Sequence, residues 1–134
     1  MLKPILFIIN PTSGRKIDLT KQIEARFSAL DIAVEFIKTT HLHHAYEITN
    51  SIDFFEYSVI AIVGGDGTVS EAINGMLARE DGQRLPIGLV PNGTSNDLCR
   101  SLGIKSVDYA LDFILKRETL SIDTIRVLID VESE

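Results

Sequence analysis

Three times in this chain a short, unbroken apolar run stops at a polar loop containing glycine, and this recurrence limits the fold more than any other feature. Ile5-Leu6-Phe7-Ile8-Ile9 ends at Asn10, residues 59–63 end at Gly64, and residues 86–90 end at Pro91-Asn92-Gly93. A strand with one wet face alternates apolar and polar residues, so unalternating runs of this length suit strands covered on both faces. Residues 32–37 supply a weaker fourth candidate. Between the runs the apolar period becomes helical: Leu19, Ile23, Phe27 and Leu30 share one face, as do Val69, Ala72, Ile73, Met76 and Leu77. Val107, Ala110, Leu111, Ile114 and Leu115 repeat the same spacing. Strands alternating with helices predict an α/β fold, a three-layer parallel sheet with right-handed crossovers. Ligands of such sheets bind beyond the carboxyl ends of the strands, where the three polar loops fall.

With 134 residues, 45% of them hydrophobic, the chain can bury one ordinary core. Residues 1–120 are expected to form the α/β domain. From Ser121 onward Ile125, Val127, Ile129 and Val131 alternate with Arg126, Leu128, Asp130 and Glu132, a half-buried strand pattern. Residues 121–134 are therefore expected to lead into a second domain absent from this sequence. An unpaired strand is also a pairing edge, through which residues 121–131 would form a homodimer.

A net charge of −6, with the 13 basic residues scattered, disfavours nucleic acid and an anionic membrane as partners. The first apolar run meets Asn10 and Pro11 too soon for a signal-peptide core, and no run approaches a membrane span of about 18 residues. A soluble, cytoplasmic chain is expected. The one cysteine, Cys99, fits a reducing compartment and reads as a small packed residue.

Each loop admits a functional and a structural reading. Gly64, Gly65 and Gly67 lack Cβ atoms at a strand end, so a phosphate could approach the backbone amides. Thr68 and Glu71 have capping-box spacing, which predicts a helix N-terminus beside that loop and an anion cradle. A carboxylate at Asp66 would repel polyphosphate unless a cation lay between them, and Mg²⁺ bound by Asp66 and phosphate oxygens would resolve the conflict. Otherwise Asp66-Gly67 is a tight turn before a capped helix. Thr94 and Ser95, before Asn96 and Asp97, offer hydroxyls or simply another cap. Asn10-Pro11-Thr12-Ser13-Gly14 could equally be a strand-to-helix turn. His41, His43 and His44 have no cysteine nearby and no well-spaced carboxylate before Glu47, so they read as the exposed first turn of a helix. Neither G-x-x-x-x-G-K-[ST] nor G-x-G-x-x-G is present, so any phosphate grip is spread over several loops.

In order along the chain, Asn10-Pro11-x-Ser13-Gly14, Gly64-Gly65-Asp66-Gly67-Thr68 with Glu71 and Asn74-Gly75, and Pro91-x-Gly93-Thr94-x-Asn96-Asp97 resemble the catalytic region of diacylglycerol kinases and their bacterial lipid-kinase and sphingosine-kinase relatives. The resemblance runs from about Ile5 to about Thr124. Ser95, Asn92 and Cys99 depart from the family pattern. The resemblance implies an ATP- and Mg²⁺-dependent lipid kinase whose nucleotide-binding domain is like that of NAD kinases and phosphofructokinases. It implies ATP contacts at Asn10, Pro11, Thr12, Ser13, Gly14, Thr40, Gly64, Gly65, Asp66, Gly67, Thr68, Val69, Ser70, Glu71 and Thr94. The family's general base lies in its second domain, so no catalytic residue is expected in this chain. The lipid acceptor would bind with that domain, and a full-length form would contact membranes transiently. The isolated chain is expected to be nearly inactive. An NAD kinase-like or other small-molecule kinase domain, or a nucleotide-binding domain without catalysis, are the alternatives.

Overall fold

A computed structural model describes residues 3–14, 17–92 and 96–116. Four parallel strands, β1 (Ile5–Ile9), β2 (Val34–Lys38), β3 (Val59–Gly64) and β4 (Ile87–Pro91), form one sheet in the order β2-β1-β3-β4. The helices are α1 (Thr20–Ser28), α2 (His44–Ser51), α3 (Asp66–Leu77), α4 (Asp97–Ser101) and α5 (Val107–Lys116), with a single 3₁₀ turn at Phe54–Glu56. Every residue of β1 and β3 is buried, as their unalternating runs require.

Successive side chains of each strand enter opposite layers. Ile5, Phe7, Val59, Ala61 and Val63 pack with Ile23 and Phe27 of α1 and with Ala110, Leu111 and Ile114 of α5. Phe7 meets Phe27 edge to face at 5.5 Å between ring centroids. On the other face Leu6, Ile8, Ile60 and Ile62 pack with Ala45 and Ile48 of α2, with Val69, Ala72 and Met76 of α3, and with Cys99 of α4. The expected three-layer α/β architecture is thus present. Residues 121–134, the proposed terminal strand, lie outside the described residues. Among the described residues no helix is long and apolar enough to cross a membrane.

Two expectations are corrected. Leu30 does not belong to the buried face of α1: the helix ends at Ser28, and Leu30 is 58% exposed in the turn beyond it. Leu77, in the last turn of α3, is also 39% exposed, so that helix buries a narrower stripe than its period suggests.

Helices α2 and α3 cross with almost no space between them. A Cβ on Gly75 would lie 2.2 Å from Thr49 Oγ1 and 2.3 Å from the Tyr46 carbonyl oxygen, closer than any side chain permits. Buried Thr49 fills that gap and donates its hydroxyl to the Ala72 carbonyl at 2.7 Å. Arg79 closes the other end of the pair. Its Nη1 donates to the carbonyls of Thr49 (3.0 Å) and Ile52 (2.8 Å), which helix α2 leaves without intrahelical donors. Its guanidinium lies 3.8 Å from the centroid of the Phe54 ring, and its Nη2 donates to Asp81 at 2.6 Å, which holds that carboxyl below its ordinary pKa.

Gly75→Ala must separate α2 from α3 and is expected to cost about 2–3 kcal/mol of unfolding free energy, the usual cost of overpacking. Gly67→Ala, on the same helix with no atom within 4 Å of the new Cβ, should instead stabilise by roughly 0.5–1 kcal/mol through helix propensity. Urea unfolding of the two variants separates these signs, and equal effects would contradict the close crossing.

Candidate functional site

The parallel register brings the strand ends level. Ile9 pairs with Lys38 on one side and with Val63 on the other, so the segments after β1, β2 and β3 emerge along one edge of the sheet. A cleft of about 430 Å³ opens there, lined by Asn10, Thr12, Ser13, Thr39, Thr40, His41, Leu42, Gly65, Gly67, Thr68 and Glu71.

Asn10 organises its floor. The backbone amide continues the sheet by donating to the Val63 carbonyl at 3.0 Å. The side-chain Oδ1 accepts from the amide (3.0 Å) and hydroxyl (2.8 Å) of Thr12, forming an Asx turn. Its Nδ2 donates to Thr68 Oγ1 at 3.0 Å, joining the first loop to helix α3. Gly14 closes the turn with φ 53°, in the left-handed region that glycine occupies without strain.

The capping-box expectation is overturned. Helix α3 starts at Asp66, two residues before Thr68, with Gly65 as N-cap and no side-chain cap hydrogen bond. Thr68 Oγ1 engages Asn10, while the Glu71 carboxylate accepts from the His43 amide at 3.0 Å. Both side chains found partners on other loops. The consequence favours anion binding: the cleft faces the N-terminus of a 12-residue helix whose N-cap, Gly65, has no side chain to offer the first amides. At Gly64 a Cβ would fall 3.0 Å from both Cβ and Oγ1 of Thr68, so a larger residue there would press on the Thr68 side chain.

The wall opposite α3 is the loop from β2 to α2. Thr39 donates its amide to the Ile9 carbonyl at 2.8 Å, and Leu42 stands 77% exposed over the cleft. His44 opens α2, whereas His41 and His43 lie in the turn before it, with His43 at φ 69°. This corrects their assignment to a helical first turn. His41 Nε2 lies 3.0 Å from Glu47 Oε2.

The structure gathers most, but not all, of the expected ligand contacts. Asn10, Thr12, Ser13, Thr40, Gly65, Gly67, Thr68 and Glu71 line one cleft, with Pro11 and Gly14 in its first turn and Gly64 beneath it. Val69 is 5% exposed and packs in the core. Asp66 and Ser70 open onto a second, shallower groove, shared with Ile73, Asn74, Leu77, Asp97 and Leu98. Thr94 lies outside the described residues. Thr39, His41 and Leu42 were missed by sequence reasoning, although their position just past a strand's carboxyl end was a usable signal.

Asp66 has a partner that the tight-turn and metal readings both overlooked. Its carboxylate accepts from the backbone amides of Asp97 at 3.0 Å and Leu98 at 3.5 Å, serving α4 as a cap supplied from another helix. The buried face of α4 carries Cys99, 4% exposed, its thiol pKa pushed up by burial and by the Asp66 charge. A thiol so placed is a packed residue, as expected, and a poor nucleophile.

Comparison with known proteins settles the relationship. Residues 4–127 match the sequence profile of the diacylglycerol kinase catalytic domain. The chain belongs to that family. It is 32% identical over 126 residues to sphingosine kinase B of Dictyostelium discoideum, covering 90% of this chain and 17% of that protein. It is 33% identical over 109 residues to a diacylglycerol kinase of Bacillus subtilis, covering 80% of this chain and 35% of that protein. Among solved structures, a diacylglycerol kinase from Bacillus anthracis superposes with a TM-score of 0.72 at 28% identity, over 87% of this chain and 43% of the other. The chain thus spans well under half the length of these lipid-kinase relatives.

Within this lipid-kinase family domain, Asp66→Ala removes both the cap that seats α4 and the charge that suppresses the Cys99 thiolate. Its Cys99 should react with a disulfide reagent about tenfold faster than the native thiol, as a local opening cheaper by roughly 1–2 kcal/mol allows. Asp66→Asn, which keeps an acceptor oxygen, should react at a rate between the two. Unchanged reactivity in Asp66→Ala would remove Asp66 from that role.

Proposed function

We propose that this chain is the nucleotide-binding part of an ATP-dependent lipid kinase, holding Mg²⁺-ATP while its γ-phosphate passes to a lipid hydroxyl. One observation carries the reading: the N-terminus of α3, with glycine as its N-cap, faces a cleft walled by the turn after β1 and the loop after β2. Backbone amides and a helix dipole form such an anion cradle without fixed positive charge. Gly65, Gly67 and Thr68 would take the phosphates. The turn at Asn10, Thr12 and Ser13 would flank them, and the exposed apolar face of Leu42 would cover the base.

The expected cation ligand, Asp66, does not line the cleft. Among the described residues no three acidic, histidine or cysteine side chains form a metal cage, whereas Mg²⁺ characteristically binds through one or two carboxylates and the phosphate oxygens of its nucleotide. With the Asp66 carboxylate turned to the α4 amides and the second groove, Asp66 does not fit the ion as a cleft ligand, and Mg²⁺ would enter on the phosphate oxygens of the nucleotide. Phosphoryl transfer also needs a group to accept the hydroxyl proton. Since the chain spans 17% to 35% of the kinases quoted above, we assign that group and the lipid contacts to other parts of a full-length protein. A cytoplasmic setting, where ATP is available, completes the proposal.

Titration of the ¹⁵N-labelled chain with Mg²⁺-ATP to millimolar concentration should shift the amide resonances of Gly65, Gly67, Thr68 and Thr40, leaving those of α5 in place. Lipid phosphorylation by the chain alone should stay near background. Unmoved cleft resonances in a folded protein would reject the nucleotide assignment, and brisk turnover by the pure chain would reject the division of labour.

A further inference from the structure

The wall formed by Thr40, His41 and Leu42 is a loop that its own sequence does little to hold in place. It is exposed at all three residues and contains no proline or glycine, yet it must keep a fixed shape to bound the cleft. Backbone bonds from Thr39 to Ile9 (2.8 Å) and from His44 to His41 (3.2 Å) hold its two ends, and Thr40 between them is fastened by a side chain that does not line the cleft. The backbone amide of Thr40 donates to Nδ1 of His44 at 3.0 Å, closing a ring across the turn. The His44 ring is half-buried and stacks on that of His41 at 4.4 Å between centroids and 16° between planes. His41 in turn places Nδ1 2.9 Å from the Thr40 hydroxyl. From the opposite side Glu71 of α3 accepts the His43 amide, securing a residue whose positive φ would otherwise be unfavourable.

We infer that His44 is a positioning residue for the nucleotide cleft: its Nδ1 lone pair fastens Thr40 and so sets the wall that the bound nucleotide meets. The inference rests on the nucleotide reading given above, but its geometry does not. An amide can only donate, so Nδ1 must be the accepting nitrogen and the ring proton must sit on Nε2. Imidazole protonated at both nitrogens has no lone pair for Thr40. The groups facing the ring are few: the stacked His41, the Thr40 hydroxyl at 3.5 Å from Nδ1, and, through His41, Glu47. Asparagine presents a carbonyl oxygen near the place of Nδ1, at the same distance from the backbone, and cannot change tautomer. Alanine presents nothing.

The test uses the 134-residue chain and Mg²⁺-ATP. Nitrogen shifts of the ligand-free protein should identify His44 as protonated at Nε2 and bare at Nδ1, and exchange of the Thr40 amide with solvent should be slow. His44→Ala should speed that exchange and weaken Mg²⁺-ATP binding about tenfold, by loosening the wall of the cleft. His44→Asn should bring both back to within about threefold of the native values. A proton on Nδ1, or failure of His44→Asn to rescue relative to His44→Ala, would overturn the assignment. If His44→Ala proves unfolded, the nitrogen shifts and the Asn variant decide alone. Absence of Mg²⁺-ATP binding by the native chain would sink the nucleotide reading instead, while the Thr40 exchange rates would still report whether His44 fastens the loop.

Discussion

The hydrogen bond from Asn10 Nδ2 to Thr68 Oγ1 joins two parts of the chain 58 residues apart, and the geometry of the cleft follows from it. Parallel strands deliver their loops to one edge of a sheet, but only to within the freedom of the loops themselves. Asn10 removes that freedom on both sides. Its backbone extends the sheet to β3, its Oδ1 shapes the following turn, and its Nδ2 holds the first turn of α3. A side chain with one acceptor and two donors is needed for all of this at once. Aspartate would keep the turn but lose the donor, and leucine would lose both.

The third wall depends on a packing contact well away from it. Helix α2 carries the loop from Thr40 to His43 at its N-terminus, so the loop's height above the cradle is set by how closely α2 lies on α3. Gly75 and Thr49 fix that distance by leaving no room for a Cβ and by filling the space with a hydroxyl that has its own acceptor. Glu71, one turn earlier on α3, then reaches the His43 amide. The same helix therefore presents the anion cradle, bounds the opposite wall, and supplies the surface on which that wall is mounted.

How far the sequence revealed this arrangement depends on where each residue's partner lies. β1 and β3 were legible because burial on both faces leaves a local signature, an unbroken apolar run. β2, at the sheet edge, was displaced toward its C-terminus from the weak candidate run, since a half-covered strand buries fewer of its residues. The start of α3 was misread for a different reason. Thr68 and Glu71 have the spacing of a local cap, but each engages a residue distant in sequence, and spacing cannot register such a partner. Likewise Asp66 was visible as a carboxylate in an awkward place, while its service to the amides of α4 could be found only once the fold had brought residue 97 to it. Helix α2 is short and mostly polar, burying Ala45, Ile48 and Thr49, too few for its period to stand out.

These misreadings bear on how an acidic chain would hold the polyphosphate proposed for it. A net charge of −6 and two carboxylates beside the cradle look hostile to such a ligand. Yet among the described residues the lining of the cleft is built of asparagine, serine, threonine, glycine, leucine and histidine, with Glu71 its one carboxylate, and that carboxylate accepts a backbone amide from the opposite loop. Asp66 faces the other groove and accepts amides of α4. Both charges are thus directed at N–H dipoles that compensate them locally. The N-cap of α3, by contrast, is a glycine with no side chain to occupy the helix amides. Among the described residues, the attraction such a cleft would offer comes from short-range, oriented dipoles, which act only within the last few ångströms. A long-range field would draw in any anion, whereas this arrangement rewards one that fits the curve of the loop.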